Sequence, residues 1–466
     1  MKWAILLYGL GISGGANVIF EHALYAYNQG VEVTFITKKK QDWTVASWHV
    51  GTKKFLYKTI DEARNNQYDV VIATEWRSAF DAYQIKAYKY IYFVQSIESR
   101  FFINRESLLA YVADTSYEMD YLYITEATWI QEYLQESYGK TSALIRNGIN
   151  KDWFTREGSA IEKRTSDKIR FLVEGSVSNW LKNVPKTIEL CRKGGAEEIW
   201  LVTPDTIETY PDVDKVFSKV PMDKMPEIYR SCDVLVKLSL VEGMFGPPLE
   251  MFHCGGTVIT YDIEGAEEYI KNEYNAVIVH KNDEHAVVEA IRSLISDRNK
   301  LEQLKVNALK TASNWIGWDV SSKAFFRCVE NFPKTDSISY KNIFQKGHAG
   351  AVAYRQVEEL LGMDSSVNRI AYAVECIQKH HYKLMIFGAG YFCKSSIIQF
   401  AKYDIEIHGI LVSDKKVNPK TVMGHKVVGI DEVSEGIDDY LIYVSTEKYM
   451  NEIVPMLKNR GFNNIV

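Results

Sequence analysis

Cysteine and proline are scarce in this sequence of 466 residues, and each shortage argues against some classes of protein. The six cysteines lie far apart and form no C-x-x-C pair, so we expect neither a disulfide framework nor a zinc site. Free thiols are typical of a reducing compartment. With only 10 prolines and no low-complexity tract, the chain is not expected to be disordered or fibrous. Its length predicts a globular protein of about two to four domains.

The sequence also lacks a basic excess and a long hydrophobic run. Its net charge of −5 argues against a protein that binds nucleic acid. No stretch of about 18 or more apolar residues is present, so no membrane-spanning helix is predicted. The apolar start at residues 1–9 continues into glycine-rich sequence without a cleavage site, and we interpret it as a strand and not as a signal peptide. These features predict a cytoplasmic protein.

What the sequence does contain is a repeated order of short apolar run, Gly-, Ser- or Asn-containing turn, and helical stretch. This order is typical of βαβ units, so we predict an α/β protein with parallel sheets. The pattern divides into three blocks. Blocks 1–165 and 166–332 are each expected to form a Rossmann-like domain, and block 333–466 is expected to contain a linker, helices and a small Rossmann-like domain. A polar linker is predicted at 155–167, and the last helices of the second block are expected to return to the first.

The apolar runs predict individual elements. The predicted strands are 3–8, 31–36, 70–73, 90–94, 122–125, 170–174, 198–203, 216–219, 234–237, 257–261, 383–387, 405–412 and 440–444. The predicted helical stretches include 18–28, 284–313, 321–330, 351–361 and 368–378.

Residues 239–258 carry the strongest functional signal. The strand before them ends in a loop with Glu242 and two glycines, and two prolines follow where a helix should begin. Gly255 is expected to cap that helix in a left-handed conformation. Free N–H groups at a helix N-terminus, at the carboxyl edge of a parallel sheet, are typical of phosphate sites. We place Glu250 in the first helical turn, where it and Glu242 could face one ligand. The alternative is that Glu250 only complements the helix dipole and Glu242 is solvated.

This segment closely resembles the donor-site motif of the retaining glycosyltransferases of family 4, which have the GT-B fold. It shares two glutamates separated by seven residues, a glycine after the first glutamate, and the ending Gly-Gly-Thr-Val. Further segments resemble the same family in the same order along the chain: 146–150, 173–183, 220–234, 265–279 and 315–318. The resemblance covers about residues 1–332. It implies two Rossmann-like domains that face one cleft.

The resemblance also implies roles for matching residues. Glu242 would hydrogen-bond hydroxyls of the transferred sugar, and Glu250 would accept from the ribose hydroxyls of a nucleotide. Lys182 would offset the charge that grows on the leaving phosphate. Backbone groups would hold the sugar or the diphosphate: those of Met244, Phe245 and Gly246 in the second domain, and of Gly14 and Gly15 in the first.

Two departures from the family pattern affect the expected site. Ser176, itself a candidate donor-binding residue, stands where the family usually has an arginine. One of two expected phosphate-binding cations is therefore missing, and Arg100 is a candidate to replace it. Gln95 and Glu98 follow the strand 90–94 where many members have a histidine; this run resembles a rhamnosyltransferase-type branch. We expect these two side chains at the acceptor or sugar site, with a simple strand-end turn as the alternative. No Asp-x-Asp pair occupies a plausible metal loop, so lysine and the helix dipole would replace a divalent cation.

The third block contains a partial dinucleotide motif. Gly388 and Gly390 follow an apolar strand, but Cys393 stands where a third glycine would be expected. Asp414 ends the next strand, near the position of an acidic ribose ligand. The block resembles small sugar-nucleotide-binding domains. A ligand site and a scaffolding role in assembly or regulation both stay open.

The first block also carries a basic and aromatic surface feature. The basic and aromatic segments 38–43 and 53–58 fit either a solvated face or docking to anionic headgroups.

We predict a metal-independent retaining hexosyltransferase that needs no cofactor. It would move a sugar from a nucleotide-diphosphate sugar to a saccharide, lipid-linked or protein acceptor in cell-surface polysaccharide or glycoconjugate synthesis.

Two alternatives to this function remain, together with expectations about partners. The alternatives are a non-catalytic partner of an active transferase, and an epimerase or reductase activity in the third block. Peripheral contact with the inner face of the membrane, and an oligomer of one or two kinds of chain through the third block, are further expectations. Nucleic acid is not an expected partner.

Overall fold

The computed structural model describes residues 1–102, 107–165, 168–360, 369–401, 403–434, 436–445 and 450–466. Its strands form three sheets, and helices pack on them. We call the parts built on these sheets the first lobe, the second lobe and the third unit. The α/β class predicted from the sequence is confirmed. The predicted boundary at 165/166, the end of the predicted linker at 167, and the helix limits predicted at 361 and 368 involve residues outside the described part.

The first lobe is a twisted parallel sheet with helices. Its described strands are β1 (Lys2–Leu6), β2 (Glu32–Thr37), β3 (Leu56–Thr59), β4 (Gln67–Ala73), β5 (Lys86–Val94), β6 (Leu122–Thr125) and β7 (Ser142–Leu144). Its described helices are α1 (Gly14–Asn28), α2 (Ile60–Ala63), α3 (Trp76–Asp81), α4 (Ser107–Thr115) and α5 (Thr128–Tyr138). The strand order is β3-β2-β1-β4-β5-β6-β7, and every pair is parallel. The order reverses at β1, which places a ligand crevice at the carboxyl ends of β1 and β4.

The second lobe repeats this architecture. Its described strands are β8 (Arg170–Glu174), β9 (Glu198–Thr203), β10 (Lys215–Ser218), β11 (Val234–Lys237), β12 (Thr257–Tyr261) and β13 (Val277–Val279). The described helices are α6 (Val184–Lys193), α7 (Met225–Ser231), α8 (Gly246–His253), α9 (Glu284–Ser296), α10 (Arg298–Ser313) and α11 (Trp318–Asn331). The order is β10-β9-β8-β11-β12-β13, again parallel throughout.

Helix α11 leaves the second lobe and packs against the first. The ring of Phe325 stacks on that of His22 at 4.2 Å between centroids, and Phe326 stacks on Trp3 at 5.8 Å. The Ser321 hydroxyl donates to the carbonyl of Arg146 at 2.7 Å. This helix therefore joins the two lobes, and its first residue, Trp318, lines the cavity between them.

The third unit is smaller and mostly parallel. Its described strands are β14 (Lys383–Phe387), β15 (Ile407–Val412), β16 (Thr421–Val422), β17 (His425–Gly429) and β18 (Tyr440–Val444). The described helices are α12 (Ser337–Leu360), α13 (Arg369–His380), α14 (Tyr391–Ala401) and α15 (Met450–Asn459). The order is β16-β17-β15-β14-β18, with β16 antiparallel to β17. Helix α12 packs on the first lobe, where Tyr354 meets Trp76 at 4.9 Å between ring centroids.

Strand prediction failed mainly at sheet edges. Every predicted strand is present, but the sequence analysis missed β3, β7, β13 and β16, which have two to four residues and lie at the edges of their sheets. It also missed β17, which has five residues and lies inside its sheet. An edge strand pairs on one side only and needs less apolar sequence, so its signal is weak. The single predicted helix at 284–313 is two helices, because the Asp297 side chain accepts from the amide of Lys300 and caps a new helix. No helix of the described residues has the length and apolar character needed to span a membrane.

Candidate active site

A cavity of about 320 Å³ lies between the two lobes. The first lobe lines it with residues that follow the carboxyl ends of its strands, and the second lobe lines it with the loop after β11 and the start of α8. Eight of the residues named from the sequence line this cavity together: Gly14, Gly15, Gln95, Glu98, Glu242, Met244, Gly246 and Glu250. Cavities of this size and position are where parallel α/β proteins hold small ligands.

The 238–245 loop positions Glu242. Strand β11 ends at Lys237, and α8 begins at Gly246 with prolines in its first turn, as predicted. Gly255, with φ of +77°, follows the helix in the predicted left-handed conformation. Glu250 is the fifth residue of α8, so the prediction that it lies in the first helical turn was wrong. Its side chain therefore lies at the start of the second helical turn.

Two lysines approach the Glu242 carboxylate. Lys182 donates to both of its oxygens, at 2.8 and 2.9 Å, and Lys237 lies 3.8 Å away. The Lys237 side chain is 2% exposed and donates to the Glu174 carboxylate at 2.5 Å. Burial alone would raise the pKa of Glu242, but the charges of Lys182 and Lys237 outweigh burial and lower it. The carboxylate facing the cavity is therefore ionised at neutral pH.

Glu250 has a different environment on the same wall. Burial and the negative charge of Glu174 raise its pKa to about 7, although Lys237 opposes this shift. A carboxyl group in this state can accept a hydrogen bond and, when protonated, can also donate one. It lines the same cavity as Glu242, so the two groups can contact one bound molecule.

The first lobe presents a glycine turn and an amide. Helix α1 begins at Gly14, and the Ser13 hydroxyl accepts from the amide of Ala16 as its N-cap. The Gln95 side chain donates to the carbonyl of Gly15 at 3.2 Å. A helix N-terminus that opens on a cavity offers unpaired N–H groups and a favourable dipole for an anion.

Glu98 is a further first-lobe residue that lines the cavity. Its carboxylate accepts from the amide of Trp76 at 2.6 Å and from the hydroxyl of Tyr92 at 3.2 Å. Burial, helped by the charge of Glu75, raises its pKa. The expectation that Glu98 is only a strand-end turn residue does not account for a buried carboxyl group that also lines the cavity.

Some predicted residues do not face the cavity as expected. Ser176 turns away from it and donates to Asp205 at 2.9 Å. Phe245 is fully buried, and its carbonyl accepts from the Tyr269 hydroxyl. The amide of Met244, predicted to hold a sugar or diphosphate, already donates to Glu126 at 3.0 Å, so that role would require this bond to break.

The candidate replacement for the missing cation is also engaged elsewhere. Arg100 forms an ion pair with Glu264 and lies over the Trp129 ring at 4.9 Å.

One residue that the sequence analysis overlooked is Lys237, the last residue of an otherwise apolar strand. Its partner Glu174 ends the neighbouring strand β8 in matching register. A charged pair at the ends of adjacent buried strands was the available signal.

Glu126 was overlooked as well. It follows β6 directly, as Gln95 follows β5, and so it lies at the same carboxyl edge of the sheet. Its side chain lines the cavity and is 5% exposed, and burial raises its pKa to about 7. Its position after a strand was the signal that could have identified it.

The glycines and acid named in the third unit share one edge of its sheet. Gly388, with φ of +105°, follows β14, and Asp414 follows the adjacent parallel strand β15. The Asp414 carboxylate accepts from the amide of Lys416 at 2.8 Å. Gly390 lies at the start of α14 and faces the second lobe across a separate cavity. Within the described residues, no group of three or more His, Cys, Asp or Glu side chains is arranged to hold a metal ion.

Comparison with solved structures identifies the architecture of the two lobes. HepE from Anabaena, solved with UDP-glucose, aligns with 71% of this chain and all of its own, with a TM-score of 0.58 and 14% identity. Sucrose-phosphate synthase from Thermosynechococcus elongatus aligns with 71% of this chain and 98% of its own, with a TM-score of 0.56 and 14% identity. The fold is GT-B. The sequence prediction of this fold is confirmed.

Sequence comparison adds a family match in the second lobe. Residues 167–311 match the family model described as glycosyl transferases group 1. The uncharacterized glycosyltransferase MJ1069 of Methanocaldococcus jannaschii is 22% identical over 188 residues, which cover 37% of this chain and 48% of the relative. A second relative from that organism, MJ1607, is 28% identical over 101 residues, which cover 22% of this chain and 26% of the relative. The matches thus span about half and about a quarter of these relatives.

Proposed function

We propose that this GT-B protein is a retaining glycosyltransferase that moves a sugar from a nucleotide-diphosphate donor to a hydroxyl of a saccharide, lipid-linked or protein acceptor. The observation that carries the proposal is the pair of carboxyl groups, Glu242 and Glu250, that line one inter-lobe cavity beside Lys182. The family match over the second lobe supports the same activity. The retaining outcome is inferred from the resemblance to family 4.

The donor would bind along the second-lobe wall. Glu250, whose pKa is raised to about 7, suits neutral hydroxyls such as those of a ribose. Glu242, held ionised by its lysines, suits the hydroxyls of the transferred sugar. Hydroxyls donate well to carboxylates, and charge-assisted hydrogen bonds of this kind are among the stronger ones.

Lys182 would change partner when the donor binds. Its side chain is 29% exposed and donates to Glu242. Moving its ammonium group to the diphosphate would stabilise the charge that develops as the bond between the sugar carbon and the phosphate oxygen breaks. Lys237 stays buried beside Glu242, so that carboxylate keeps a positive neighbour after Lys182 has moved.

The first-lobe residues that line the cavity would bind the diphosphate and orient the acceptor. The N-terminus of α1 at Gly14 offers amides to the diphosphate. Gln95 and Glu98 would orient the acceptor hydroxyl. Its oxygen bonds the sugar carbon, and its proton passes to the departing phosphate. Enclosure between the lobes would exclude water and favour transfer over hydrolysis.

A donor screen is the first experiment. HepE was solved with UDP-glucose, so UDP-glucose heads a panel of nucleotide sugars tested by thermal shift and then by turnover. Glu242→Ala should lower kcat by about a hundredfold or more, with only a modest loss of donor binding. Glu250→Ala should instead weaken nucleotide binding by about tenfold, measured by calorimetry.

The control is Glu302→Ala, which removes an exposed carboxylate of α10 in the same lobe. It should leave both constants unchanged. Unchanged turnover of Glu242→Ala would refute the assignment. A wild-type chain that binds a nucleotide sugar but transfers it to no acceptor would favour the non-catalytic partner over the enzyme.

A further inference from the structure

Glu126 connects the two lobes across the cavity. It belongs to the first lobe, and its Oε1 accepts from the amide of Met244 in the 238–245 loop of the second lobe at 3.0 Å. Its Oε2 accepts from the side-chain amides of Asn147 at 3.0 Å and Gln95 at 3.4 Å. One buried carboxylate thus fixes the backbone of the loop that carries Glu242 to two amides of the opposite lobe.

The neighbouring residue in the loop is held in the same way. The carbonyl of Gly243 accepts from the indole N–H of Trp129 at 3.0 Å. A Cβ atom at Gly243 would lie 1.9 Å from the backbone oxygen of Gln95, so the loop fits against the first lobe only as glycine. The two residues that follow Glu242 are therefore both hydrogen-bonded to the first lobe.

The hydrogen-bond partners of Glu126 indicate why a carboxyl group stands at this position. All three of its hydrogen-bond donors are neutral amides, and burial raises its pKa to about 7. A buried carboxyl group without a cationic partner is costly to keep ionised. An uncharged amide side chain would avoid that cost but offers a single acceptor oxygen, whereas the carboxylate accepts at both, from Met244 at one and from Asn147 and Gln95 at the other. A carboxylate at this position therefore fits the role of holding the loop and the two first-lobe amides together.

We propose that Glu126 is a positioning residue that aligns Glu242 for transfer by accepting the Met244 amide across the closed cleft. The inference rests on the proposed function of Glu242. When the lobes separate, the Glu126–Met244 and Trp129–Gly243 bonds break, and the loop loses the contacts that orient Glu242. Assembly of the site is thereby coupled to closure, which restricts departure of the sugar to the enclosed state.

The test measures the loop and the reaction separately in the full-length chain. In Glu126→Ala, hydrogen exchange of the Met244 amide should accelerate by about tenfold or more, because its acceptor is gone. With an active donor and acceptor pair, kcat should fall by about tenfold or more while the donor KM changes little. Glu126→Gln keeps one acceptor oxygen and should exchange at Met244 nearly as slowly as the wild type.

The matched control is Glu118→Ala, which removes a first-lobe carboxylate paired with Lys346 outside the cavity. It should change neither Met244 exchange nor kcat. Unchanged exchange in Glu126→Ala overturns the inference, and so does faster exchange with full kcat. If exchange accelerates as expected but the wild-type chain transfers no sugar, the contact stands and the proposed function fails. If Glu126→Ala does not fold, Glu126→Gln decides, since rapid Met244 exchange in that variant overturns the inference.

Discussion

Glu242 and Glu126 face the same cavity from opposite lobes, and their pKa values move in opposite directions. Both side chains are buried, so desolvation acts alike on both. The difference lies in their partners: two lysines reach Glu242, whereas Glu126 has three neutral amides. Burial therefore does not by itself set the charge of a carboxyl group in this cleft; the nearby cations do.

Glu250 tests whether the lobe determines the direction of the pKa shift, because it lines the cavity from the same lobe as Glu242. Its pKa is raised to about 7, which resembles Glu126 more than Glu242. The division is thus not between lobes as such: Glu242 bonds Lys182 directly and has Lys237 beside it, whereas at Glu250 burial outweighs the charge of Lys237. Pairs of carboxyl groups with divergent pKa values are common where acid, base and binding roles are separated.

The largest expected effect comes from removing the buried cation. Lys237→Met would leave Glu174 and Glu242 buried without one of their positive neighbours, and should lower the free energy of unfolding by about 3–5 kcal/mol. Chemical denaturation measures this loss. Glu174→Gln combined with Lys237→Met should recover part of it.

A surface lysine provides the control for that variant. Lys193→Met removes an exposed pair with Glu189 and should cost no more than about 1 kcal/mol. Equal effects of the two lysine variants would show that Lys237 does not set the charge of the second-lobe wall.

A somewhat smaller effect is expected from Gly243→Ala. Its Cβ would meet the Gln95 backbone oxygen at 1.9 Å, and no side-chain rotation can relieve a contact with backbone. The lobes must then separate, with a loss of about 3 kcal/mol in the free energy of unfolding and a larger radius of gyration in solution scattering.

Gly9→Ala is the control for this variant, because an added Cβ there has no atom within 4 Å. It should change neither quantity. Scattering profiles of Gly243→Ala and the wild type that coincide would contradict the closed arrangement of the lobes.

The next prediction concerns pH. Because the folded pKa of Glu126 is about 7 and its ordinary value is 4.5, the folded chain binds the proton more tightly than the unfolded chain. Stability from this group therefore falls as pH rises from about 4.5 to about 7, and Glu126→Gln should remove about 3 kcal/mol of that fall. Unfolding free energies at several pH values across this window measure it.

Glu242 should behave in the opposite way. Its lowered pKa gives stability above the ordinary value, and that stability is lost as pH falls below it. A Glu126→Gln variant with the same pH slope as the wild type would contradict the contrast between the two carboxyl groups.

The sequence predicted the features that depend on backbone punctuation. The loop with Glu242, the prolines that begin α8, and Gly255 after it follow from local conformational preferences, and so does the order of strands and helices. Gly148, part of the segment that resembles the family, lies where a Cβ would be 2.5 Å from the backbone nitrogen of Trp318. Only glycine fits this crossing, which explains why the segment was recognisable.

The sequence did not reveal which side chains pair. Lys237 with Glu174, and Glu126 with Met244, join residues 63 and 118 positions apart, and these contacts depend on strand order and lobe closure. Ser176 illustrates the same limit: its position in the motif was found, but its bond to Asp205, 29 positions away, was not. Contacts between elements were therefore the part that needed the structure.

The smallest expected effect belongs to the surface pair that also crosses between the lobes. Arg100 and Glu264 have side chains 32% and 46% exposed, so solvent screens their attraction. Glu264→Gln should lower the free energy of unfolding by about 1 kcal/mol or less, and added salt should abolish the difference, because Arg100 keeps its contact with the Trp129 ring. A loss comparable to that of Lys237→Met, and insensitive to salt, would mean that exposed and buried cations act alike at this cleft. The contrast between Glu242 and Glu126 could then not be assigned to the two lysines.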